Sequence, residues 1–386
     1  MADPIQVYVG GQRTGTLLRE NKEFLFNYAE QLSEEQFVSL TMPVRAKEYV
    51  HPQLHPFFEM NLPEGFLLAV IKKQFSKLVA TDDLGLLQLL APGIRGRVQY
   101  SEANSDQQRL SLEQLLHPEV ADSSQLFREL VERFALQSAV SGVQPKVLAQ
   151  LQDKATLKLG HYIVKTWGEE YPQLAINEYY CMQVFKHAGI PVPPFYLSDD
   201  DRLFIMKRFD IAEDGTALGF EDMCVLQAKQ RDDKYLGSYE QIAKSIKIFT
   251  SPDYKRASLQ QFFKMVVLNN HLQNGDAHLK NFGVVYNNTS SVRLAPAYDV
   301  VSTTAYIKND MAALTLLGSK KWWDHTGLIR FGMESCEMSR KQAEESYQRC
   351  MSALQQTHQR LQLRLQNETV EEKRSVLEHL LSLMEY

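Results

Sequence analysis

The sequence predicts an α+β protein in which three parts of different character follow one another along 386 residues. The first part is strand-rich, because apolar and polar residues alternate in IQVYVGGQRTGTLLRE, residues 5–20. The last part is helical, with apolar residues at helical spacing in LQQFFKMVVLNNHL, residues 259–272. We therefore expect a strand-rich N-terminal subdomain over 1–107, a lobe with an antiparallel sheet over 108–210, and an all-helical lobe over 211–386.

Within the N-terminal subdomain, Gly10-Gly11 joins two short strands. The stretches FLFNYAEQ (24–31) and FVSLTMPV (37–44) continue the strand-rich pattern. FFEMNLPEGFLLAVIKKQF, residues 57–75, indicates a helix entered through its Pro-Glu pair. SEANSDQQ, residues 101–108, is the most polar stretch and predicts a linker.

In the middle and C-terminal parts, the ends of the predicted strands and helices are easier to place. TLKLGHYIVKTW (156–167) and DRLFIMKRFD (201–210) predict strands, and the helix between them ends at Gly189, before PVPP. Beyond Asp210, only two short segments are strand-like, at 282–286 and 291–295. Thr369 and Glu372 have the spacing of a capping box that would start a final helix.

Composition argues against several classes of function. The formal net charge is −5, so the chain lacks the basic character of a protein that mainly binds nucleic acid. No apolar run reaches the roughly 18 residues of a membrane helix, and MADPIQVYVGG does not resemble a signal peptide. The four cysteines form no CxxC pair or zinc pattern. We therefore expect a reduced, cytoplasmic protein without membrane association.

One polar loop, in HLQNGDAHLKNFGVVY (271–286), lies between an apolar helix and an apolar strand. Asp276 and Asn281 are five residues apart, and Asp299 follows in APAYDVVS. Phosphoryl transfer from ATP needs a carboxylate to orient the attacking hydroxyl and oxygen ligands to hold Mg²⁺ on the phosphates. This order and spacing are typical of kinase catalytic and metal loops. Taken alone, the loop could also be an ordinary solvated turn.

Upstream segments supply further parts of an ATP site. AVSGVQPKVL (139–148) is a small-residue loop whose backbone N–H groups could face phosphates, or a simple glycine turn. Lys165 has apolar neighbours in HYIVKTW and would need an anionic partner, either phosphate or Glu178 on the next helix. It could also be a lysine at a strand edge. Lys207 to Phe209 end a strand where a hinge could hold adenine, or where the chain makes a plain connection.

Together and in this order, these segments resemble the HipA family of serine/threonine kinases, the toxins of bacterial HipA/HipB-type toxin–antitoxin systems. The resemblance covers nearly the whole chain. The matching stretches are VYVGGQRTGTLL (7–18), FFEMNLPEG (57–65), SGVQPK (141–146), YIVKTW (162–167), INEYYC (176–181), KRFD (207–210), NGDAHLKNFGVVY (274–286) and APAYDVVS (295–302).

The resemblance implies a two-lobed, kinase-like fold related to the phosphoinositide 3/4-kinases, with its lobes in the ranges given above. It implies that Asp276 is the catalytic base, that Asn281 and Asp299 bind Mg²⁺, and that Lys165 contacts ATP with Glu178 as its helix partner. The other implied ATP-binding residues are Ser141, Gly142, Val143, Gln144, Pro145 and Lys146 in the phosphate loop, Lys207, Arg208 and Phe209 at the hinge, and His278, Leu279, Lys280, Asn281, Tyr298 and Asp299 beside the phosphates and metal.

The same resemblance implies a protein substrate phosphorylated on serine or threonine, with an aminoacyl-tRNA synthetase as the suspected target. It implies a helix-turn-helix antitoxin of HipB type, through which alone the chain would reach DNA. It also suggests inhibitory autophosphorylation of the phosphate loop. Because Ala139 occupies the position where family members often have serine, Ser141 is the candidate here and Ser138 a more distant one. A phosphate there would repel the ATP phosphates.

Two other functions remain open at this point. The catalytic loop also resembles that of phosphoinositide-kinase-like enzymes, which would make the chain a kinase of a lipid headgroup or small metabolite. The lack of a basic amphipathic stretch argues against that alternative. An inactive, kinase-like regulator is the second alternative, but such a protein would be expected to have lost at least one of Lys165, Asp276, Asn281 or Asp299, and all four are present.

Overall fold

The structure, a computed structural model, describes residues 4–62, 82–91, 94, 96–101, 116–117, 156–159, 162–167 and 170–385. The predicted α+β class is confirmed, because antiparallel sheets and helices occupy successive parts of the chain. The labels used below number the described elements in chain order.

The N-terminal sheet has five antiparallel strands in the order β4-β3-β2-β1-β5. Its alternating pattern buries one face, as in β1, where every second residue is buried. Two short helices, α1 (Pro56–Glu59) and α2 (Asp83–Leu90), lie beside the sheet's core. The strands are β1 (Ile5–Val9), β2 (Gln12–Glu20), β3 (Glu23–Tyr28), β4 (Tyr49–His51) and β5 (Val98–Gln99).

The stretch 37–44 is not the strand that its sequence predicts. It forms only an isolated bridge between Ser39 and Met42. The backbone N–H of Leu40 donates to the carboxylate of Glu221 instead of to a neighbouring strand. Of the predicted helix over 57–75, the described part contains only the end of α1, and the rest lies outside the described residues, as does nearly all of the predicted linker.

A second antiparallel sheet, in the order β6-β7-β9-β8, forms the middle of the chain. The helix α3 (Leu174–His187) connects β7 to β8 and ends near Gly189, as predicted. The strands are β6 (Thr156–Leu159), β7 (Tyr162–Lys165), β8 (Phe195–Leu197) and β9 (Phe204–Lys207).

The expectation that residues 211–386 are all helical is wrong. They contain a three-stranded antiparallel sheet of β10 (Gly219–Asp222), β11 (Gly283–Tyr286) and β12 (Arg293–Leu294). The strands β11 and β12 confirm the strand-like segments predicted at 282–286 and 291–295, and β10 was not predicted. The sequence of β10, GFED, is too short and polar to alternate visibly, and it becomes a strand by pairing with the fully buried β11.

The remaining helices share one large core with α3 and with this sheet. They are α4 (Met223–Leu226), α5 (Tyr239–Phe249), α6 (Pro252–His271), α7 (His325–Glu334), α8 (Arg340–Gln366) and α9 (Glu371–Met384). The apolar run that predicted a helix before the polar loop lies in α6. Among the described helices, none is both long enough and apolar enough to cross a membrane.

The predicted capping box at Thr369 is also wrong. The cap of α9 is Val370, which makes no side-chain capping bond. The carboxylate of Glu368 instead accepts the backbone N–H groups of Thr369 and Val370, at 3.0 and 2.9 Å.

Candidate active site

The polar loop between α6 and β11 is held in shape by its own amides. The side chain of Asn274 is buried, donates to Asn269 at 2.8 Å and accepts the backbone N–H of Asp276 at 3.1 Å. Gly275 is packed so closely that a Cβ there would lie 2.0 Å from a carboxylate oxygen of Asp310. The loop therefore needs glycine at this position, and its neighbours fix where the Asp276 side chain begins.

Asp276 lies at the accessible side of the loop. Its side chain is 29% exposed, and its Oδ1 is 3.9 Å from Nε2 of His278. The same oxygen accepts a hydrogen bond from the hydroxyl of Tyr235 at 2.5 Å. A carboxylate in this position can accept a hydrogen bond from a hydroxyl that reaches the site from solvent.

Asn281 lies in a 3-10 turn, Leu279–Asn281, immediately before β11. Its Nδ2 donates to the backbone carbonyl of Asp299 at 3.2 Å and to its carboxylate Oδ2 at 2.9 Å. Its Oδ1 is buried and has no hydrogen-bond partner within the described part of the chain. A buried amide oxygen left in this state is unfavourable unless something binds it.

Asp299 connects Asn281 to the lysine predicted from the sequence. The Lys165 ammonium lies 2.5 Å from Oδ1 of Asp299 and 2.6 Å from Oε1 of Glu178. Burial by itself would lower the pKa of Lys165, but the carboxylates of Asp299 and Glu178 outweigh it and raise that pKa. Lys165 is therefore charged and held between two acids. Glu178 is almost fully buried, whereas the side chain of Asp299 is 44% exposed.

The helix α3 fixes the segment that carries Asp299. Asn177 on this helix donates to the backbone carbonyl of Ser302 at 2.9 Å and accepts its N–H at 2.8 Å, and both groups are buried. Because Glu178 is the next residue, one turn of α3 holds both the lysine and the loop after Asp299. Asp299 itself has φ of 57°, a left-handed conformation that Asp and Asn adopt more readily than most residues.

The other predicted site residues lie around this cluster. His278 and Leu279 are buried, and the carbonyl of Lys280 accepts the hydroxyl of Tyr298 at 2.8 Å. Burial raises the pKa of Tyr298, so its hydroxyl stays protonated as a donor. The ring of Tyr298 stacks on that of Phe209, with centroids 5.2 Å apart.

At the predicted hinge, the structure restricts which groups are available. The N–H of Lys207 donates to the carbonyl of Pro194 at 2.8 Å. Arg208 is buried and makes a two-pronged ion pair with Asp210, at 2.9 and 2.7 Å. The predicted phosphate loop, 141–146, and Ser138 lie outside the described residues.

The structure thus brings Lys165, Glu178, Asn281 and Asp299 into one connected set. Asp276 lies on the same loop as Asn281, between α6 and β11. Tyr235 was missed by the sequence reasoning. It lies in DDKYLGS, 41 residues before Asp276, and no local pattern marks it as a neighbour of that carboxylate.

This set of donors fits a magnesium ion held together with phosphates. Among the described residues, no group of three or more His, Cys, Asp or Glu side chains could hold a metal by itself. Mg²⁺ commonly takes only one or two protein oxygens and completes its shell with phosphate and water. The buried, unpartnered Oδ1 of Asn281 and the partly exposed carboxylate of Asp299 match that requirement.

Comparison with known families agrees with this architecture. The HipA-like C-terminal domain matches residues 138–358, which is more than half of the chain, and the HipA N-terminal domain matches residues 5–101. The chain belongs to the HipA family.

Similar proteins occur in two bacteria. The chain is 29% identical over 312 residues to "Putative kinase Y4dM" of Sinorhizobium fredii, an alignment that spans 75% of this chain and 71% of that protein. It is 30% identical over 225 residues to a "Putative kinase" of Haemophilus influenzae, spanning 53% of this chain and 65% of that one.

A solved structure shares the fold over almost the full length. It is the complex of HipA, HipB and operator DNA from the toxin–antitoxin system of Shewanella oneidensis MR-1. The TM-score is 0.70, and the superposition covers 98% of this chain and 96% of the matched chain at 17% sequence identity. At that identity the likeness shows a common fold.

Proposed function

We propose that this chain is an ATP- and Mg²⁺-dependent protein serine/threonine kinase. The observation that carries the proposal is the set in which Lys165 joins Glu178 to Asp299 while Asn281 binds the same aspartate. Such a lysine–glutamate pair next to a metal-binding Asp and Asn is the arrangement that protein kinases use on ATP. The names of two relatives support the same reaction class.

Each residue has a chemical task in this proposal. Asp276 accepts the proton of the incoming hydroxyl and orients its oxygen toward the phosphorus. Lys165 binds an ATP phosphate. Asn281 and Asp299 hold Mg²⁺, which when bound neutralises charge on the phosphates.

Further residues would complete the nucleotide site. Residues 141–146 would surround the phosphates, and the backbone of 207–209 would face the adenine. Because the N–H of Lys207 already donates to Pro194, the adenine would use the other backbone groups of that stretch. The proposed architecture is two-lobed and kinase-like, with the nucleotide between the sheet that carries Lys165 and the helical part that carries Asp276.

The proposal is tested by phosphorylation of a bacterial lysate. The purified chain is incubated with soluble lysate proteins, Mg²⁺ and radiolabelled ATP, and the labelled residues are identified by mass spectrometry. We expect label on serine or threonine, lost in Asp276→Asn and retained in Asp253→Asn, a matched acid exposed on α6. Label confined to lipid or small molecules, or equal labelling by Asp276→Asn, would contradict the proposal.

We further propose that the kinase is the toxin of a toxin–antitoxin pair. Support comes from membership of the HipA family and from the fold shared with the Shewanella oneidensis complex, which contains HipB and operator DNA. The partner would be a helix-turn-helix protein that links the chain to DNA, and the substrate would be a translation component such as an aminoacyl-tRNA synthetase.

Expression in bacteria tests this second part. The wild-type chain should arrest growth and translation, and a synthetase should gain phosphate. Asp276→Asn should do neither, and co-expression of a helix-turn-helix protein encoded beside the chain should relieve arrest. Equal arrest by both forms would point to a cause other than phosphorylation.

Autophosphorylation of Ser141 remains a proposal about residues outside the described part. Its phosphate would add about 1.5–2 negative charges beside the ATP phosphates and oppose nucleotide binding. Mass spectrometry of the wild type after long incubation with ATP should show phosphate on Ser141, and the Asp276→Asn protein should show none. An unmodified Ser141 would remove the switch but leave the kinase proposal standing.

A further inference from the structure

The hydroxyl of Tyr235 occupies a chemically specific position. It donates to Oδ1 of Asp276 at 2.5 Å, and the Tyr235 ring lies edge-on against His278 with centroids 5.0 Å apart. Tyr235 is 39% exposed, so its ring lies at the solvent-facing side of the site. A general base must lie within hydrogen-bonding reach of the hydroxyl from which it takes a proton. The tyrosine hydroxyl therefore makes the contact that an acceptor hydroxyl would make.

The segment that carries Tyr235 is hydrogen-bonded to the polar loop that carries Asp276. The carbonyl of Lys234 accepts the N–H of Leu279 at 3.1 Å, within the turn that ends at Asn281. The carbonyl of Tyr235 accepts from Lys320 at 3.4 Å. The position of the tyrosine is consequently set by the contacts that the carbonyls of Lys234 and Tyr235 accept.

The same segment is also fixed on the N-terminal subdomain. The backbone N–H of Arg231 donates to the carboxylate of Glu59 at 2.7 Å, and its guanidinium lies 3.0 Å from Asp83. Gln230 donates to the carbonyl of Leu54 at 3.3 Å. The N-terminal subdomain thus helps to hold Tyr235 over the base.

We propose that Tyr235 is a pseudo-acceptor, whose hydroxyl occupies the acceptor subsite on Asp276 until a substrate hydroxyl displaces it. This inference rests on the proposed kinase function and adds a means of excluding water. With the tyrosine in place, a water molecule competes poorly for the base, and ATP is protected from hydrolysis. A serine or threonine on a docked protein displaces the phenol because docking supplies the binding free energy.

The test uses water as the acceptor, so that no protein substrate is needed. Steady-state ATP hydrolysis is measured with Mg²⁺ for the full-length wild type, Tyr235→Phe and Tyr254→Phe. Tyr254 on α6 is a matched control, because it is 38% exposed and Tyr235 is 39% exposed. Loss of a hydrogen bond to a charged group should raise kcat for hydrolysis by roughly 10- to 150-fold in Tyr235→Phe. The KM for ATP should stay within about twofold, and Tyr254→Phe should match the wild type.

The outcomes separate this proposal from the kinase proposal. Binding of MgATP is measured on the same proteins by calorimetry, and failure of the wild type to bind it would overturn both proposals. If the wild type binds MgATP but Tyr235→Phe hydrolyses it no faster, the pseudo-acceptor is wrong and the kinase proposal stands. Phosphate found on Tyr235 by mass spectrometry would also overturn it, because the hydroxyl would then be consumed and not displaced.

Discussion

At the scale of single residues, Asp299 brings the site together. Its carboxylate meets Lys165 on one oxygen and Asn281 on the other, and its backbone has φ of 57°. Most side chains are strained in that conformation, whereas Asp and Asn tolerate it. The left-handed backbone and the proposed metal-binding role therefore favour the same residue type.

This coincidence makes Asp299→Asn a clean test of charge. The amide can keep the left-handed backbone but loses the negative charge that faces Lys165 and the proposed Mg²⁺. We expect the Mg²⁺-dependent part of ATP affinity to fall by roughly tenfold or more, since hydrogen bonds and ion contacts to charged groups contribute about 1.5–3 kcal/mol. Calorimetric titration with ATP, with and without Mg²⁺, measures it. An affinity equally dependent on Mg²⁺ in both proteins would contradict the assignment.

At the scale of elements, α3 connects Lys165 to the segment after Asp299, because Glu178 binds the lysine and the adjacent Asn177 binds Ser302. Asn177→Ala would leave the buried N–H and carbonyl of Ser302 without their partners. Each lost partner costs about 1–3 kcal/mol, so we expect the free energy of unfolding to fall by roughly 2–6 kcal/mol and ATP affinity to fall with it. Chemical denaturation measures the change, with exposed Lys186→Ala on the same helix as control. An Asn177→Ala protein as stable as Lys186→Ala would show that the hydrogen bonds between Asn177 and Ser302 contribute little to stability.

The helix α6 ends at His271, where the polar loop that carries Asp276 begins. Burial lowers the pKa of His271 to about 4, and its Nε2 lies 3.1 Å from the hydroxyl of Tyr347. In the unfolded chain this pKa would be about 6.5. Between pH 6.5 and 4 the unfolded chain therefore binds a proton that the folded chain does not, and stability must fall as pH falls.

The expected size follows from the difference of about 2.5 pH units, which limits the loss at this residue to about 3 kcal/mol. Thermal unfolding between pH 7 and 4.5 should show a smaller loss of Tm in His271→Gln than in the wild type. Some pH dependence should remain, because burial also lowers the pKa of His55, to about 3. A wild-type Tm that rises on acidification, or identical slopes in both proteins, would contradict this account.

Some of the strands, helices and caps could be predicted from the sequence alone, and others could not. The strand with Lys165, the helix with Glu178 and the strand after Asn281 were predictable because each has a clear hydrophobic period. The strand β10 was not, since GFED becomes a strand only through its partner β11. The prediction of a capping box at Thr369 was wrong because the carboxylate of Glu368 accepts the backbone N–H groups of Thr369 and Val370.

The candidate site divides in the same way. Asp276 and Asn281, which lie five residues apart in one motif, were predicted as site residues from their spacing. The hydrogen bonds from Tyr235 to Asp276 and from Asn281 to Asp299 could not be predicted in the same way, because each joins residues that only the tertiary structure brings together. Local sequence carries no information on which distant side chain completes a hydrogen bond.

At the scale of the whole molecule, Glu221 joins the N-terminal subdomain to the rest. It is fully buried on β10, and its carboxylate accepts hydrogen bonds from Ser39, Leu40 and Tyr286, each at 2.7 Å. Burial raises its pKa, opposed by the bonds from Ser39 and Leu40. The carboxylate is thus a shared acceptor across the interface.

Removing that acceptor should loosen the interface. Glu221→Ala removes the acceptor that three donors share, of which the Ser39 hydroxyl can still bond to Thr41. We expect the free energy of unfolding to fall by roughly 3–5 kcal/mol, whereas Ser39→Ala should cost about 1 kcal/mol. Urea denaturation of both variants and the double variant gives the coupling between them. Strictly additive effects of the two substitutions would show that they do not share this contact.

We propose that the polar loop with Asp276 and the cluster around Lys165 together form a phosphoryl-transfer site. The most direct measurement is the initial rate of phosphate transfer from MgATP to lysate protein by the wild type and by Asp276→Asn, with MgATP affinity measured alongside. Because a positioned acid–base group contributes about 10²–10⁴ in rate, we predict a loss of that order with nucleotide binding largely kept. Transfer by Asp276→Asn at the wild-type rate would contradict the account.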